Sequence, residues 1–409
     1  MRIHRILPSV RTWLPALVIC ICAMASVQSF AKVPEQTPRF VMGMSTALSG
    51  PAADLGTNMQ IGVEIAFQEA NLNGGIQGEP ISLIAYDDGY EPSQTIINMR
   101  RLIEQDNVLG IIGNVGTPTA IAAVPIASET RTPFIGAYSG ADILRRSPPT
   151  RYVINYRASY AEETAAMVNA LVKHAKIKPS EIAFFTQRDA YGDAGFIGGI
   201  QALKMHGVRK AKDIAHGRFE RNTLSVEIGL AEIMLHQVPP KAIIMVGTYA
   251  PCAKFIQRAK AMDYDGLFLN VSFVGSVSLA KALGDDSNGV IITQVVPHPE
   301  SDIPIAVQYR EAMDRLDKSQ HERSFGSLEG YIAARILLCA LHSTHFTCGR
   351  ESVIESFEAL GKFEMGFTQP LELSDIDHQA SHMVWPTMLR NGAVVSIEWS
   401  DLSEGNLHE

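Results

Sequence analysis

Short apolar runs alternate with helix-length amphipathic stretches along nearly the whole chain, and no other feature limits the fold as much. Residues 40–46 read as a strand. Residues 57–71 follow as a helix, with Ile61, Ile65 and Leu72 on one side. The segment NGGIQG (73–78) is a turn. Residues 81–87 are apolar and then acidic, a strand ending in a polar tip. Residues 92–105 place Ile96, Met99 and Ile103 at helical spacing, and 108–112 form a short buried strand. Pro118 opens a helix that Pro125 should kink or end, and 133–135 begin another strand. The rhythm then restarts. Strands at 181–186, 242–247, 267–271 and 290–295 alternate with helices at 195–206, 225–237 and 252–262. Two such βαβα runs predict an α/β chain with two doubly wound parallel-sheet lobes. Helices at 308–317 and 328–342 follow, and then a hairpin of 384–389 with 394–399, turning at Asn391-Gly392.

The 409 residues suffice for two sizeable cores. The first 31 differ from the rest. Arg2, Arg5 and Arg11 precede an apolar run at 13–25, and Ser29-Phe30-Ala31 offers small residues at the −3 and −1 positions. That pattern reads as a cleaved Sec signal peptide, residues 1–31, with an uncleaved N-terminal anchor as the alternative, and predicts export to the periplasm. Cys20 and Cys22 lack the preceding small residue that a lipoprotein signal requires. Without the three leader arginines, 32 basic residues face 43 acidic ones, a balance that argues against nucleic acid and anionic membrane surfaces. Cys252, Cys339 and Cys348 remain. Cys339 and Cys348 could pair in an oxidising compartment, or Cys339 could be a buried free thiol.

The stretch IIGNVGTPTA (111–120) ends an apolar run in glycines and then opens a helix. Thr117 fits the N-cap and Pro118 the first helical position. No Gly-Lys-Ser/Thr follows, which excludes a P-loop, and GDAGFIGG (192–199) lacks the dinucleotide spacing. A single carboxylate suits the loop better, with hydroxyls from Thr117, Thr119 and Ser139 beside free backbone amides. SYAEE (159–163) reads as a capping box, which would employ Glu162. Glu162 could equally face a ligand ammonium. No nucleophile–base set and no metal-ligand spacing stands out, so neither an enzyme nor a cofactor is expected.

Five stretches, in order, resemble the leucine/isoleucine/valine-binding family of type I periplasmic solute-binding proteins: ALSGPAADLGTNMQIGVEIAFQEANLNGGIQG (47–78), YDDGYEPSQTIINMRRLI (86–103), IIGNVGTPTAIAAVPIA (111–127), DAYGDAG (189–195) and SLEGYIAARILL (327–338). The resemblance implies two lobes that close on a ligand, joined by three crossovers near Arg157, Val296 and Leu373. One lobe would then comprise 38–157 and 297–372, the other 158–296 and 373–401. It further implies a ligand carboxylate at Thr117, with more contacts from Tyr138, Ser139 and Gly140. Tyr191, Thr248 and Tyr249 would contribute from the second lobe, with Glu162 near the ammonium. Two departures stand out. NVSFVG (270–275) has no acid near Ser272, where the branched-chain binders carry a glutamate, and Leu55 replaces an aromatic residue. The implied role is that of a monomeric binding component of an ABC importer. It would deliver an amino acid or related small carboxylate or amide to a membrane permease. The alternative is a periplasmic sensor feeding a membrane signalling protein.

Overall fold

The computed structural model describes residues 40–343 and 345–403, so the predicted leader lies outside the described residues. The chain first runs β1 (Phe40–Thr46), α1 (Ala53–Leu72), β2 (Ile81–Asp87), α2 (Pro92–Arg100), β3 (Gly110–Ile112), α3 (Thr117–Glu129), β4 (Phe134–Ile135) and β5 (Val153–Ile154). These strands form one parallel sheet in the order β2-β1-β3-β4-β5. The next elements are α4 (Tyr160–Lys173), β6 (Ile182–Gln187), α5 (Ala190–Met205), β7 (His216–Phe219), α6 (Glu227–Met234), β8 (Ala242–Val246), α7 (Tyr249–Lys260), β9 (Leu267–Asn270), α8 (Ser276–Leu283) and β10 (Ile291–Gln294). Their five strands are parallel in the order β7-β6-β8-β9-β10, the same winding a second time.

Three helices, α9 (Pro304–Leu316), α10 (Phe325–His342) and α11 (Gly349–Glu358), come next, with α9 and α10 packing against α1 and so returning to the first sheet. A two-stranded ribbon of β11 (Gly361–Phe363) and β12 (Leu371–Leu373) leads on to a hairpin, β13 (Trp385–Arg390) and β14 (Ala393–Ser396). The hairpin adds antiparallel to β10, and Asn391 and Gly392 both take positive φ at its turn. The chain thus passes between the two sheets three times.

Alternation along buried strands divides the core. Ile111, Phe134 and Val153 join the cluster under α2 and α3, whereas Ile112, Ile135 and Ile154 point into the cluster under α1 and α10. The second sheet does the same, with Phe185, Ile243 and Met245 on one face and Phe184, Ile244 and Val246 on the other. Coverage on both faces is what apolar parallel strands require.

Several expectations need correction. Pro125 does not end α3, which continues to Glu129. The only bond it forfeits is to the carbonyl of Ile121, a partly exposed position where water can substitute. Thr117 is the first helical residue rather than the cap, and Gly116 takes the N-cap place at φ 103°. Residues 101–105 form a π-turn that closes α2 rather than a continuation of its α-helix. Cys252, Cys339 and Cys348 are all free thiols. No described helix is long and apolar enough to cross a membrane.

Candidate functional site

In doubly wound sheets the carboxyl ends of the strands, where the winding order reverses, form a natural crevice. In the first sheet that edge carries the loops after β1, β3 and β4, and in the second those after β6, β8 and β9. Thr117 follows β3; Tyr138, Ser139 and Gly140 follow β4; Tyr191 follows β6; Thr248 and Tyr249 follow β8; and Ser272 follows β9. Asp87 and Asp88 fix the neighbouring turns. Asp87 accepts bonds from the amides of Leu48 (2.8 Å) and Gly89 (2.9 Å), and Asp88 from the Ser45 (2.8 Å) and Thr95 (3.0 Å) hydroxyls.

The two sets of loops meet. Tyr138 donates to the carbonyl of Ser272 at 3.4 Å, and Gln187 donates to the Tyr90 hydroxyl at 3.3 Å. The Phe273 ring lies 5.3 Å from that of Tyr138, 6.0 Å from Tyr90 and 4.7 Å from Tyr191. Gly140 lets the start of α4 approach the loop after β4 closely. Its carbonyl accepts from the Tyr160 amide at 2.9 Å, and a Cβ there would stand 2.6 Å from that nitrogen. At the rim, Glu91 accepts from Arg221 (2.8 Å) and Asn222 (2.6 Å), and Asp54 accepts from Ser278 (2.8 Å). Tyr249 is half-buried at this rim and Thr248 is buried beside it. The Tyr191 hydroxyl reaches the carbonyl of Gly247 at 3.3 Å.

Hydroxyls gather at the start of α3. Thr117 and Ser139 share a 2.7 Å bond, and the buried Tyr160 phenol lies beside Ser139. Thr119, by contrast, spends its hydroxyl on the carbonyl of Gly116 at 2.9 Å. The Arg157 guanidinium stands 4.9 Å from the centre of the Tyr138 ring and 5.9 Å from that of Tyr160. Among the described residues the Nε of Arg157 is buried without a hydrogen-bond partner. Hydroxyls, a phenol, first-turn amides and a guanidinium together make a buried, donor-rich cluster suited to an anion.

Arg157 sits between two buried carboxylates, each 3.4 Å away: Glu163 on α4 and Glu329 on α10. Glu163 is well supplied with donors. Its oxygens also accept from the Ser272 amide (2.8 Å), the Ser272 hydroxyl (3.0 Å) and Thr293 (2.6 Å). Arg157 additionally bonds the Ser272 hydroxyl. Burial raises the Glu329 carboxyl to about 7, with Arg157 pulling it down and Glu163 pushing it up. Burial also raises Glu163, against the pull of Arg157, Thr293 and Ser272.

Glu162 is engaged differently. It completes the capping box with Ser159, accepts from Gln379 at 3.1 Å and contacts the His382 ring at 2.6 Å. Burial would raise its carboxyl, but these bonds hold it below the ordinary value. Glu162→Gln is therefore expected to cost about 1 kcal/mol of stability at pH 7. A depressed carboxyl stabilises the fold above its unfolded value, and the contribution disappears as pH falls through the folded one. Urea unfolding at pH 7 and at acid pH checks this, since the gap between variant and parent should narrow as the pH falls. Sequence reasoning used Arg157 only as a crossover marker and did not single out Glu163, Glu329, Tyr160 or Phe273. Helical phase offered a signal for Glu163, because 160, 163, 164, 167, 168 and 171 share the buried face of α4.

A family described as periplasmic binding protein matches residues 40–393. The Leu/Ile/Val-binding protein homolog 7 of Brucella abortus is 27% identical over 363 residues, covering 84% of this chain and 87% of that protein. The Leu/Ile/Val-binding protein of Escherichia coli K12 is 22% identical over 264 residues, 61% of this chain and 65% of that one. A crystal structure of a possible leucine/isoleucine/valine-binding protein from Rhodopirellula baltica superposes with a TM-score of 0.86. It is 51% identical and covers 89% of this chain and 97% of that one.

Proposed function

The chain belongs to the periplasmic binding protein family, whose members here are solute binders rather than enzymes, and from that premise we propose that it is the solute-binding component of an ABC importer. Exported by its leader, it captures an amino acid or related small carboxylate or amide between two closing lobes and delivers it to a membrane permease. The observation that carries this reading is the donor-rich cluster of Thr117, Ser139, Tyr160 and Arg157, deeply buried where the loops of the two sheets meet. A ligand carboxylate there gains charge-assisted bonds in a dry site. Tyr138, Gly140, Tyr191, Thr248, Tyr249 and Ser272 form the surrounding wall in this reading. Glu162 serves the α4 cap. Closure is a population shift, driven by contacts that both lobes make only when together.

The test is a thermal-shift screen of refolded residues 32–409 against amino acids, their amides and short carboxylic acids. A ligand at about 1,000 times its Kd should add roughly 4 kcal/mol. No stabilisation by any of the three classes overturns the reading. Within it, Thr117→Ala should weaken binding on the order of 10- to 100-fold, the worth of one bond to a charged group, and cost only about 1 kcal/mol of stability. Calorimetric titration checks this, and an unchanged affinity removes the loop after β3 from the anion site.

A further inference from the structure

The buried cluster at the meeting of the lobes holds two carboxylates against one guanidinium. Glu163 already accepts from the Ser272 amide and hydroxyl, Thr293 and Arg157. Glu329 is different. It is 3% exposed, its ion pair is the 3.4 Å contact to Arg157, and both its oxygens retain capacity for donors. Its place is rigid. The capping box of Ser324 and Ser327 starts α10, and Tyr309 braces Ser327 at 2.6 Å. One turn before Glu329, a Cβ on Gly326 would lie 3.9 Å from the Tyr138 hydroxyl, so this end of α10 borders the cluster.

We propose that Glu329 is the carboxylate that accepts a ligand ammonium, and so the residue that makes this cleft prefer amino acids over amine-free acids. The inference rests on the solute-binding reading above and assigns the charge selectivity of the same site. Without ligand, two guanidinium groups, Arg157 and Arg145, face two carboxylates in a dry environment, where any surplus charge is costly. A further anion alone, set beside Arg157, would create a negative surplus there. A zwitterion brings its own cation, and Glu329 is the acceptor with room for it. The groups facing Glu329 are Arg157 from the crossover, Glu163 from α4, Arg145 after β4 and the Tyr138 and Tyr156 phenols. Arg145 is spent on the carbonyls of Ala141, Ser139 and Arg157 and on Gln379. The other acid among these groups is Glu163, whose oxygens already accept from Ser272 and Thr293.

The experiment titrates the parent, Glu329→Gln and Glu329→Asp with the common amino acids, each beside its amine-free acid. Glu329→Gln should weaken amino-acid binding by about 30-fold or more while leaving the amine-free acids within roughly threefold. Glu329→Asp should keep the preference for the amine. Parent affinity for amino acids should fall as pH drops below about 7, where the Glu329 carboxyl takes up its proton, and Glu329→Gln should show no such fall. Without ligand, a raised carboxyl costs stability above its unfolded value, so Glu329→Gln should gain stability relative to the parent between pH 5 and pH 8. Equal loss for both ligand classes, or a parent that binds amine-free acids more tightly, overturns the inference and leaves the solute-binding reading standing. A parent that binds neither class overturns both.

Discussion

Arg157→Met is expected to cost the fold about 3–5 kcal/mol at pH 7, the range for stripping a buried ion cluster of one partner. The substitution leaves Glu163 and Glu329 facing one another with no cation between them, both nearly inaccessible to solvent. Their folded-state carboxyls, already raised, rise further. A raised carboxyl holds its proton in the folded chain at pH values where the unfolded chain has released it. Folding is therefore penalised increasingly as pH climbs from the unfolded value through the folded one, and the penalty is absent below the unfolded value. The loss should be small near pH 4.5 and grow to its full size by pH 8. Urea unfolding across that range measures it. The variant carrying Arg157→Met, Glu163→Gln and Glu329→Gln together should recover much of the stability, because no charge remains to be buried unpaired. A loss that does not change with pH would mean that the arginine acts by packing on Tyr138 and Tyr160 alone.

This cluster was also the part of the molecule least legible in the sequence. β1 and β2 are readable to the residue, because each is an apolar run bounded by turn chemistry. β5 has two residues, too few for a period of two to register, and the eight-residue α8 is too short for a helical period. The hairpin β13–β14 is plain from Asn391-Gly392, since positive φ at both positions suits few other pairs. The loops after β3 and β4 stand out by their glycines and hydroxyls.

Charge placement is another matter. Arg157 lies in a crossover segment with no periodicity to reveal its burial. Glu329 lies in a helix buried on nearly all sides, where phase cannot single out a direction. Glu162 and Glu163 are neighbours in sequence with opposite environments: the first closes a cap and the second enters the core. A local motif explained the first, and only the tertiary meeting of α4, α10 and the crossover explains the second.

Gly62→Ala should destabilise the chain by about 3 kcal/mol, the upper part of the range for overpacking. α1 and α10 approach so closely that a Cβ on Gly62 would stand 1.9 Å from the carbonyl of Ser327 and 2.6 Å from the amide of Tyr331. Both obstacles are backbone, so no rotamer change relieves them, and the helices must separate. Gly330 makes the reciprocal approach from α10, 2.3 Å from the carbonyl of Met59 by the same construction. Gly207→Ala is the control: it has positive φ but nothing near its Cβ, so it should cost only about 1 kcal/mol through the backbone. The larger consequence is at the cleft. Glu329 lies between Ser327 and Tyr331 on the same turn of α10, so separating the helices moves its carboxylate relative to Arg157. Gly62→Ala should therefore reduce the discrimination between an amino acid and its amine-free acid, although Gly62 lies on the far side of α10 from the guanidinium's contact. Chemical unfolding and paired titrations read the two effects separately. Lost stability with the discrimination intact would show that α10 tilts about its first turn and keeps Glu329 in place. Loss of both would show that the close packing of α1 and α10 sets the geometry of the charge cluster.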